Sequence, residues 1–281
     1  MQSFIFMASH DAPSTIQKVK VKRSDSGSIS SDSVVVEEPL EIRIKKGDQE
    51  VQLGITMRTP GADLQLAAGF LWGEGFLTNT NQLITVKVCG DRSLTPRQRA
   101  NVVIAEVTSD APDFSRKMDR RFTMNSACGV CGSSNISDLE VRGILPVSQS
   151  KKSVEELAKL ADKLQGRQQI FEKTGGLHAA LLLNPNDEVV WVREDVGRHN
   201  AVDKVIGDAL MSHQLPLSNW VLVVSGRVGY EIVQKAICAG ISALVGVSAP
   251  TSLAIELANR FNLKLIAFAR NGSAKEFHSI I

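Results

Sequence analysis

Two cysteines separated by two residues form the most chemically distinctive stretch of this 281-residue sequence. Cys128 and Cys131 lie in the segment 126–135, and a glycine follows each of them. Glycine lets a backbone bend freely and approach other groups closely. The spacing suits three kinds of chemistry: a dithiol and disulfide pair, half of a tetrahedral zinc site, or a nucleophilic cysteine with a neighbour. The remaining alternative is that the two cysteines have no chemical role.

The surrounding sequence favours some of these alternatives over others. A structural zinc site usually takes four ligands, whereas the other cysteines, Cys89 and Cys238, are single and remote in the sequence. A thioredoxin-like motif normally accompanies a βαβ pattern, but this one follows the polar run 116–121. That run is rich in arginine and lysine, and positive charge favours the nucleophilic thiolate over the thiol. The same run is equally typical of a solvated loop.

The composition restricts the class of protein. Its hydrophobic content of 43% and charged content of 22% are those of an ordinary globular protein. A net charge of +2 and an aromatic content of 5% give no general electrostatic or stacking basis for binding nucleic acid or a membrane. Four cysteines are too few for a disulfide scaffold, and neither a signal peptide nor a membrane-length apolar run is recognisable. We therefore expect a cytoplasmic protein that binds neither nucleic acid nor a membrane.

The pattern along the chain predicts four segments. Residues 1–33 are rich in Ser, Asp and Lys and predict a disordered tail. Residues 34–125 predict a small α+β domain, residues 126–150 a loop and linker that carry the cysteine pair, and residues 151–281 a second, α/β domain. In the first domain, a hairpin is predicted from 40–44 and 51–57, a helix from Asp63, and strands at 84–88 and 102–107.

In the second domain, buried strands are predicted at 189–192, 220–224, 243–247 and 263–268. Polar segments follow these strands, and three successive strand ends carry Ser, Gly and Arg. Open α/β sheets bind ligands at the carboxyl ends of their strands, and glycines there let backbone amides face an anion. The pattern predicts a site for a large phosphorylated ligand, although the full dinucleotide-binding fingerprint is absent.

Two histidines are candidates for this site. His199 lies between Arg198 and Asn200 at a predicted strand end, which favours contact with a ligand or a role in proton transfer. His178 follows two glycines and precedes an apolar segment that we predict to be a helix. A packed, partly buried histidine is the commoner outcome in that setting.

Five motifs together resemble the FdhD family of formate dehydrogenase accessory sulfurtransferases. They are residues 128–132, 174–180, 194–204, 225–227 with 230–231, and 248–254. The resemblance extends from about residue 34 to the C terminus, and the combination is far more specific than any single motif. It implies a small N-terminal α+β domain followed by a cytidine-deaminase-like, three-layer α/β domain.

The resemblance also implies an activity, a cargo and partners. Members of this family take sulfur from a cysteine desulfurase as a persulfide. They pass it to the molybdenum or tungsten bis-pterin guanine dinucleotide cofactor that formate dehydrogenase requires. Cys128 would carry the persulfide and Cys131 would support it. The family likeness further implies a homodimer and no permanently bound metal.

The cofactor-binding turn of the family corresponds to Phe268, Ala269, Arg270, Asn271, Gly272 and Ser273. The resemblance implies guanine nucleotide phosphates on this turn and on Ser225, Gly226 and Arg227, with His199 nearby. Ser273 stands where other members have a basic residue, so one phosphate contact would either be missing or be supplied by Arg270.

Two alternatives to sulfur transfer stay open at this point. One is a non-catalytic chaperone that binds the cofactor or the apo-enzyme, and the other is a zinc-dependent deaminase or other metalloprotein. A deaminase needs His-x-Glu, where this chain has His178-Ala179-Ala180, and Pro rather than Ala127 before its cysteine pair. Deamination is therefore not expected.

Overall fold

The computed structural model describes residues 14–113, 139–140 and 142–279. Cys128 and Cys131 lie outside the described residues, as do residues 1–13 of the predicted tail. The described residues form three β-sheets and seven α-helices. None of these helices is long and apolar enough to cross a membrane.

The chain forms a hairpin in the region where the sequence predicted a disordered tail. Strands β1 (Ile16–Lys22) and β2 (Ile29–Val35) pair antiparallel over their full length. The prediction therefore does not hold for residues 16–33. Low hydrophobicity argued for disorder, but lysine and valine alternate in β1, and backbone pairing gives the serine-rich β2 a partner. The base of the hairpin packs on the body of the protein, where Val35 closely approaches Gly176.

The N-terminal half contains a four-stranded mixed sheet in the order β4-β3-β6-β5. Its elements are β3 (Glu38–Lys46), β4 (Gln49–Arg58), α1 (Asp63–Gly73), β5 (Leu83–Val88), α2 (Pro96–Ala100) and β6 (Val102–Val107). The predicted hairpin, the helix from Asp63 and the two later strands are confirmed. The inner face of the sheet packs on α1 through alternating apolar residues such as Leu40, Ile42 and Ile44.

The C-terminal half contains a six-stranded sheet in the order β12-β11-β10-β9-β7-β8. Its strands are β7 (His178–Leu183), β8 (Val189–Asp195), β9 (Val221–Val224), β10 (Ala243–Gly246), β11 (Lys264–Arg270) and β12 (Ser273–Glu276). Its helices are α3 (Val154–Ala161), α4 (Gln169–Thr174), α5 (Arg198–Met211), α6 (Tyr230–Cys238) and α7 (Ser252–Arg260).

The segment after His178 is a strand and not the helix that the sequence predicted. β7 lies between β8 and β9 and pairs antiparallel with both. Its apolar run Ala179–Leu183 is buried on both faces of the sheet. A short, continuous apolar run fits a buried strand and a buried helix equally well, so periodicity could not separate the two.

Helices cover both faces of the six-stranded sheet. Leu157 and Leu160 of α3 pack on one face, against alternate residues of the central strands. Helices α5, α6 and α7 cover the other face and share a core with α1 and the four-stranded sheet. The predicted fold class is confirmed, because the chain is mixed α+β with a three-layer α/β second half.

Two glycines bring the halves of the chain into backbone contact. Gly69 of α1 faces the carbonyl of Asp203 on α5, and Gly207 of α5 faces the carbonyl of Gln65 on α1. A Cβ atom at either glycine would overlap the opposite backbone. The close crossing of α1 and α5 therefore fixes the first sheet against the second.

Candidate functional site

The strand directions gather several predicted residues at one edge of the six-stranded sheet. β9, β10 and β11 are parallel, and β8 is parallel to β9 because β7 is antiparallel to both. The carboxyl ends of these four strands and the first residue of β7 therefore meet at the same edge. His178, at the start of β7, pairs with Asp195, at the end of β8. The sequence predicted a ligand site at strand ends, and the structure brings these strand ends together at one edge of the sheet, where open α/β sheets bind ligands.

Gly226, in the loop after β9, packs against His178 and Arg198, and these residues with Arg227 form a cluster. A Cβ atom on Gly226 would lie 3.2 Å from Nδ1 of His178 and 3.3 Å from Cβ of Arg198. Arg227 is exposed beside them. Its charge lowers the pKa of both His178 and Arg198. The structure thus brings one histidine and two arginines together around Gly226.

Positive charge in this cluster is only partly compensated. Burial lowers the pKa of Arg198, and Arg227 lowers it further, while Glu231 acts in the opposite direction. Burial, Arg198 and Arg227 lower the pKa of His178, so its imidazole is neutral at pH 7. The region favours an added negative charge.

His199 lies beside this cluster and is mostly buried. Its Nε2 atom is 3.1 Å from a carboxylate oxygen of Glu231 on α6. Burial lowers the pKa of His199 to about 3, with contributions from the charges of Arg198 and Lys235. The imidazole of His199 is therefore neutral at pH 7, and its contact with Glu231 is a close approach of two polar atoms.

The loop after β9 is held in place by backbone pairing. The Ser225 hydroxyl accepts a hydrogen bond from the Ala179 amide (2.8 Å), and the Ser225 amide donates to the Ala179 carbonyl (3.0 Å). Val228 forms an isolated parallel bridge with Pro250 in the loop after β10. Ser225 thus has a structural role, and the fixed loop presents Gly226 and Arg227 at the sheet edge.

Most polar residues of the segment 194–204 hold the fold together. The carboxylate of Asp195 pairs with Lys204 (2.6 Å) and accepts bonds from the amides of Thr59 and Gly197. Asn200 donates to the Met57 carbonyl (2.8 Å). The sequence predicted that this whole segment forms a ligand site. In the structure, Asp195, Asn200 and Lys204 instead join β4 to α5. Arg198 and His199 are the members of the segment that face the cluster at Gly226 and Glu231.

A second buried network lies directly behind His199. Lys235 of α6 is 2.7 Å from the carboxylate of Asp203 on α5 and 3.5 Å from Glu74 after α1. Burial raises the pKa of Asp203 to about 7, while Asp203 and Glu74 hold Lys235 in its charged form. The sequence placed Glu231 in a family motif without a role and did not indicate Lys235, because the roles of both residues depend on contacts between different helices.

The predicted cofactor turn connects β11 and β12 at the same edge. Asn271 and Gly272 both have positive φ (52° and 69°), as a two-residue hairpin loop of type I′ requires. The backbone conformation of the turn therefore accounts for the presence of Asn and Gly at these two positions. Arg270 and Ser273 flank them and are exposed, which leaves both side chains available to a ligand.

Phe268 and Ala269 have different environments in this turn region. Ala269 is buried among the residues that contact α3. Phe268 is 47% exposed and has a positive φ of 55°, which is unusual for a bulky residue. Lys275 Nζ lies 5.5 Å from the centre of its ring. β10 lies between β9, which leads to Gly226, and β11, which leads to this turn. β9 and β11 are therefore about 10 Å apart.

The structure does not test the two predicted catalytic residues, Cys128 and Cys131. The other two cysteines, Cys89 and Cys238, are buried and free. Within residues 14–113 and 142–279, no group of three or more His, Cys, Asp or Glu side chains could hold a metal ion.

A model of the FdhD/NarQ family matches residues 35–279 of the chain. The chain belongs to the FdhD/NarQ family. The sulfur carrier protein FdhD of Streptomyces coelicolor is 42% identical over 264 residues, covering 92% of each chain. The protein of the same name from Sulfolobus acidocaldarius is 41% identical over 260 residues, covering 92% of this chain and 94% of its own.

A solved structure has the same fold as this FdhD/NarQ family member. It is a protein from Desulfotalea psychrophila described as a formate dehydrogenase accessory protein. The match has a TM-score of 0.68 and covers 94% of this chain and 96% of that one, at 22% sequence identity. At this level of identity the likeness concerns the fold.

Proposed function

We propose that this protein is a sulfurtransferase that accepts sulfur from a cysteine desulfurase as a persulfide on Cys128. It passes that sulfur to the bis-pterin guanine dinucleotide cofactor of formate dehydrogenase, with molybdenum or tungsten as the metal of the cargo. The observation that carries the proposal is the similarity, over most of its length, to relatives named sulfur carrier protein FdhD. The cysteine pair of the sequence supplies the chemical group that such a role needs.

The proposed transfer has two balanced steps. The Cys128 thiolate attacks the outer sulfur of the desulfurase persulfide, a new S–S bond forms, and the desulfurase cysteine leaves as a thiolate. An electron pair of the acceptor then attacks the outer sulfur on Cys128, an acceptor–S bond forms, the S–S bond breaks and Cys128 leaves as a thiolate, so that the acceptor is formally oxidised by two electrons. Cys131 would support the exchange from three positions along the chain.

The cationic sheet edge supports the choice of a phosphorylated cargo. Arg227 and Gly226 would take one phosphate group of the cofactor, and the turn with Arg270 and Ser273 would take another. The spacing of about 10 Å between strands β9 and β11 suits a ligand that is larger than one phosphate. His199 would contribute a neutral, mostly buried imidazole beside these groups.

The chain is long enough to bring the cysteines to this edge. Arg142 donates to the Gly73 carbonyl (3.2 Å) and interacts with the Cys238 thiol at the C-terminal end of α6. The N-terminal end of α6 lies at the candidate site, about 14 Å away along a nine-residue helix. Seven residues lie between Cys131 and Leu139, and the eight residue-to-residue steps span at most about 29 Å.

The proposal is tested by intact-mass and peptide mass spectrometry after incubation with a cysteine desulfurase and cysteine. The wild type should gain about 32 Da in a form that reductant removes, and Cys128→Ala should not. Cys89→Ala, which removes a buried thiol, is the control and should load like the wild type. A wild type that gains no sulfur from an active desulfurase would refute the transfer and favour a cofactor-binding chaperone.

A further inference from the structure

Strands β1 and β2 form a sheet of only two strands, and no other strand of the described residues pairs with either of them. The body of the protein packs on the β2 side, where Val35 closely approaches Gly176. A hairpin is at best marginally stable by itself in water, and a further strand would stabilise it. β1 is therefore a seven-residue edge strand whose outer side pairs with no described strand.

The hydrogen bonds of the hairpin show which backbone groups of β1 face outward. The Val36 amide donates to the Thr15 carbonyl (3.0 Å) at the base, and the Arg23 amide donates to the Ser28 carbonyl (2.9 Å) at the tip. Bonded and non-bonded pairs alternate along an antiparallel ladder, so every second residue of β1 directs its amide and carbonyl groups away from β2. These residues are Ile16, Lys18, Lys20 and Lys22.

The three exposed lysines Lys18, Lys20 and Lys22, here called the lysine row, share one face of the hairpin. They lie opposite two serines and an isoleucine of β2. Asp32 pairs with Val19 and so lies on the other face, and Asp25 already binds Arg23 (3.4 Å). Among the residues that the structure describes, no carboxylate forms an ion pair with the lysine row.

This charge pattern excludes one class of strand and favours another. Pairing of β1 with β1 of a second copy would place lysines opposite lysines, and like charges in that position are destabilising. A strand with acidic residues at the same positions would instead form an opposite-charge pair at each lysine. On the other face, Val19 and Val21 are half-buried and would favour apolar side chains from the added strand.

There is free space at the base of β1. Ile16 and Gln17 line a groove of about 490 Å³ together with Pro96 and Arg97 of α2. The beginning of β1 is therefore not covered by the body of the protein.

We propose that the outer edge of β1 binds an extended segment of a partner protein as an additional strand, and that acidic and apolar residues alternate in this segment. Its acidic side chains would lie against the lysine row, and its apolar side chains against Val19 and Val21. In such strand addition, main-chain hydrogen bonds supply affinity and alternate side chains supply specificity.

Fluorescence anisotropy with two labelled peptides tests this binding edge. The acidic probe is a peptide of about nine residues, blocked at both ends, that alternates Glu with Val and Thr, and the basic probe has Lys in place of Glu. The full chain should bind the acidic probe, with an affinity that falls as salt is added, and the basic probe far more weakly. Replacing all three lysines of the row with Gln should weaken binding of the acidic probe more than about tenfold.

The matched control is Lys87→Gln. Lys87 is an exposed lysine on the edge strand β5, but it has a carboxylate partner in Glu106 (3.5 Å). Its substitution should leave the affinity for the acidic probe unchanged. The urea midpoints of all variants should show that they are folded.

Charge reversal and backbone methylation separate strand addition from a general attraction between charges. Replacing the lysine row with three Glu residues should reverse the preference, so that the basic probe binds more tightly. One of the two alternate sets of backbone nitrogens in the probe must face β1, so methylation of that set should remove binding and methylation of the other should not. Amide hydrogen exchange at the lysine row should slow when the unmethylated acidic probe is added.

Several results would overturn the proposal. Equal affinity for the two probes, or an affinity for the acidic probe that the three Gln substitutions leave unchanged, would show that the lysine row does not select the strand. Binding that appears only in a chain starting at Ser14 would show that residues 1–13 occupy this edge. No binding of either probe at millimolar concentration, with self-association of the three-Gln protein, would show that the lysines serve only to keep copies of the chain apart.

Discussion

Nε2 of His199 lies 3.1 Å from a carboxylate oxygen of Glu231, between the first turns of two helices, α5 and α6. Behind this contact, Lys235 and Asp203 form a buried ion pair between the same helices. Both contacts hold the helices that begin at the candidate site. The surface that would receive the cargo therefore rests on two helices that contact each other closely, and Arg227 at its edge is exposed.

The buried His199 should make stability depend on pH. Its pKa is about 3 in the folded protein, compared with 6.5 for a free histidine. Between these pH values His199 binds a proton in the unfolded chain but not in the folded one, so the contribution of His199 to the free energy of unfolding falls as the pH drops below 6.5. This effect amounts to about 1.4 kcal/mol at pH 5.5.

Urea denaturation of the wild type and His199→Gln at pH 7.5 and pH 5.5 would measure this effect. Glutamine cannot take up a proton, so the variant should lose about 1.4 kcal/mol less than the wild type over this range. His178 and Asp203 are present in both proteins, so the difference between the two proteins reports on His199. Identical pH dependence in the two proteins would show that His199 is not held neutral.

Lys204→Met should destabilise the protein strongly. Lys204 is 2% exposed, is paired with the fully buried Asp195, and also donates to the carbonyl of Thr59 (2.9 Å). Its removal leaves a buried carboxylate without its counter-ion, which typically costs about 3–5 kcal/mol. The free energy of unfolding from urea titration would measure the loss.

The matched control is Lys87→Met, which removes an exposed lysine that pairs with Glu106 at 3.5 Å. It should change the free energy of unfolding by less than about 1 kcal/mol. Equal effects of the two substitutions would contradict the assignment of Asp195 and Lys204 to the contact between β4 and α5.

Gly207→Ala provides a test of the helix crossing, because helix propensity and packing predict opposite signs. In an open helix, alanine is more stable than glycine by about 1 kcal/mol. Here the new Cβ atom would overlap the backbone of Gln65, so α1 and α5 would have to separate, at a cost of about 3 kcal/mol. Gly90→Ala, where no atom lies within 4 Å, should have little effect. A stabilised Gly207→Ala protein would rule out the close crossing.

The sequence predicted those parts of the fold that have a local signal. The alternation at 40–44, the helix from Asp63 and the apolar strands of the second sheet all follow from periodicity and turn residues. The same local signals placed Gly226 and Arg227 at a strand end. Asn271 and Gly272 were predicted as a turn, and the type I′ hairpin confirms it.

The remaining features depend on contacts that a single sequence does not show. The serine-rich β2 becomes a strand only because β1 pairs with it. The strand that starts at His178 is determined by its neighbours β8 and β9. In the segment 194–204, Lys204 and Arg198 look alike as cations. Lys204 is buried in an ion pair, whereas the Nε atom of Arg198 has no hydrogen-bond partner within the part of the chain that the structure describes.

The turn between β11 and β12 permits a gain-of-function prediction. Arg270 and Ser273 are exposed on either side of Asn271 and Gly272. Arg270→Gln should weaken GDP binding about tenfold through loss of a charge-assisted phosphate contact, and Ser273→Arg in that background should restore much of it. Isothermal titration at fixed salt would measure both. GDP affinity that is insensitive to both changes would exclude this turn from the phosphate site.

A single-turnover chase tests whether sulfur moves through Cys128 to the cofactor. The protein is loaded with radiolabelled sulfur by a desulfurase and cysteine, separated from both, and mixed with the bis-pterin guanine dinucleotide cofactor. We expect the label to leave the wild-type protein and appear on the cofactor, and Cys128→Ala never to become labelled. Label that stays on the protein in the presence of the cofactor, or a Cys128→Ala protein that delivers it equally well, would contradict the proposed sulfur transfer.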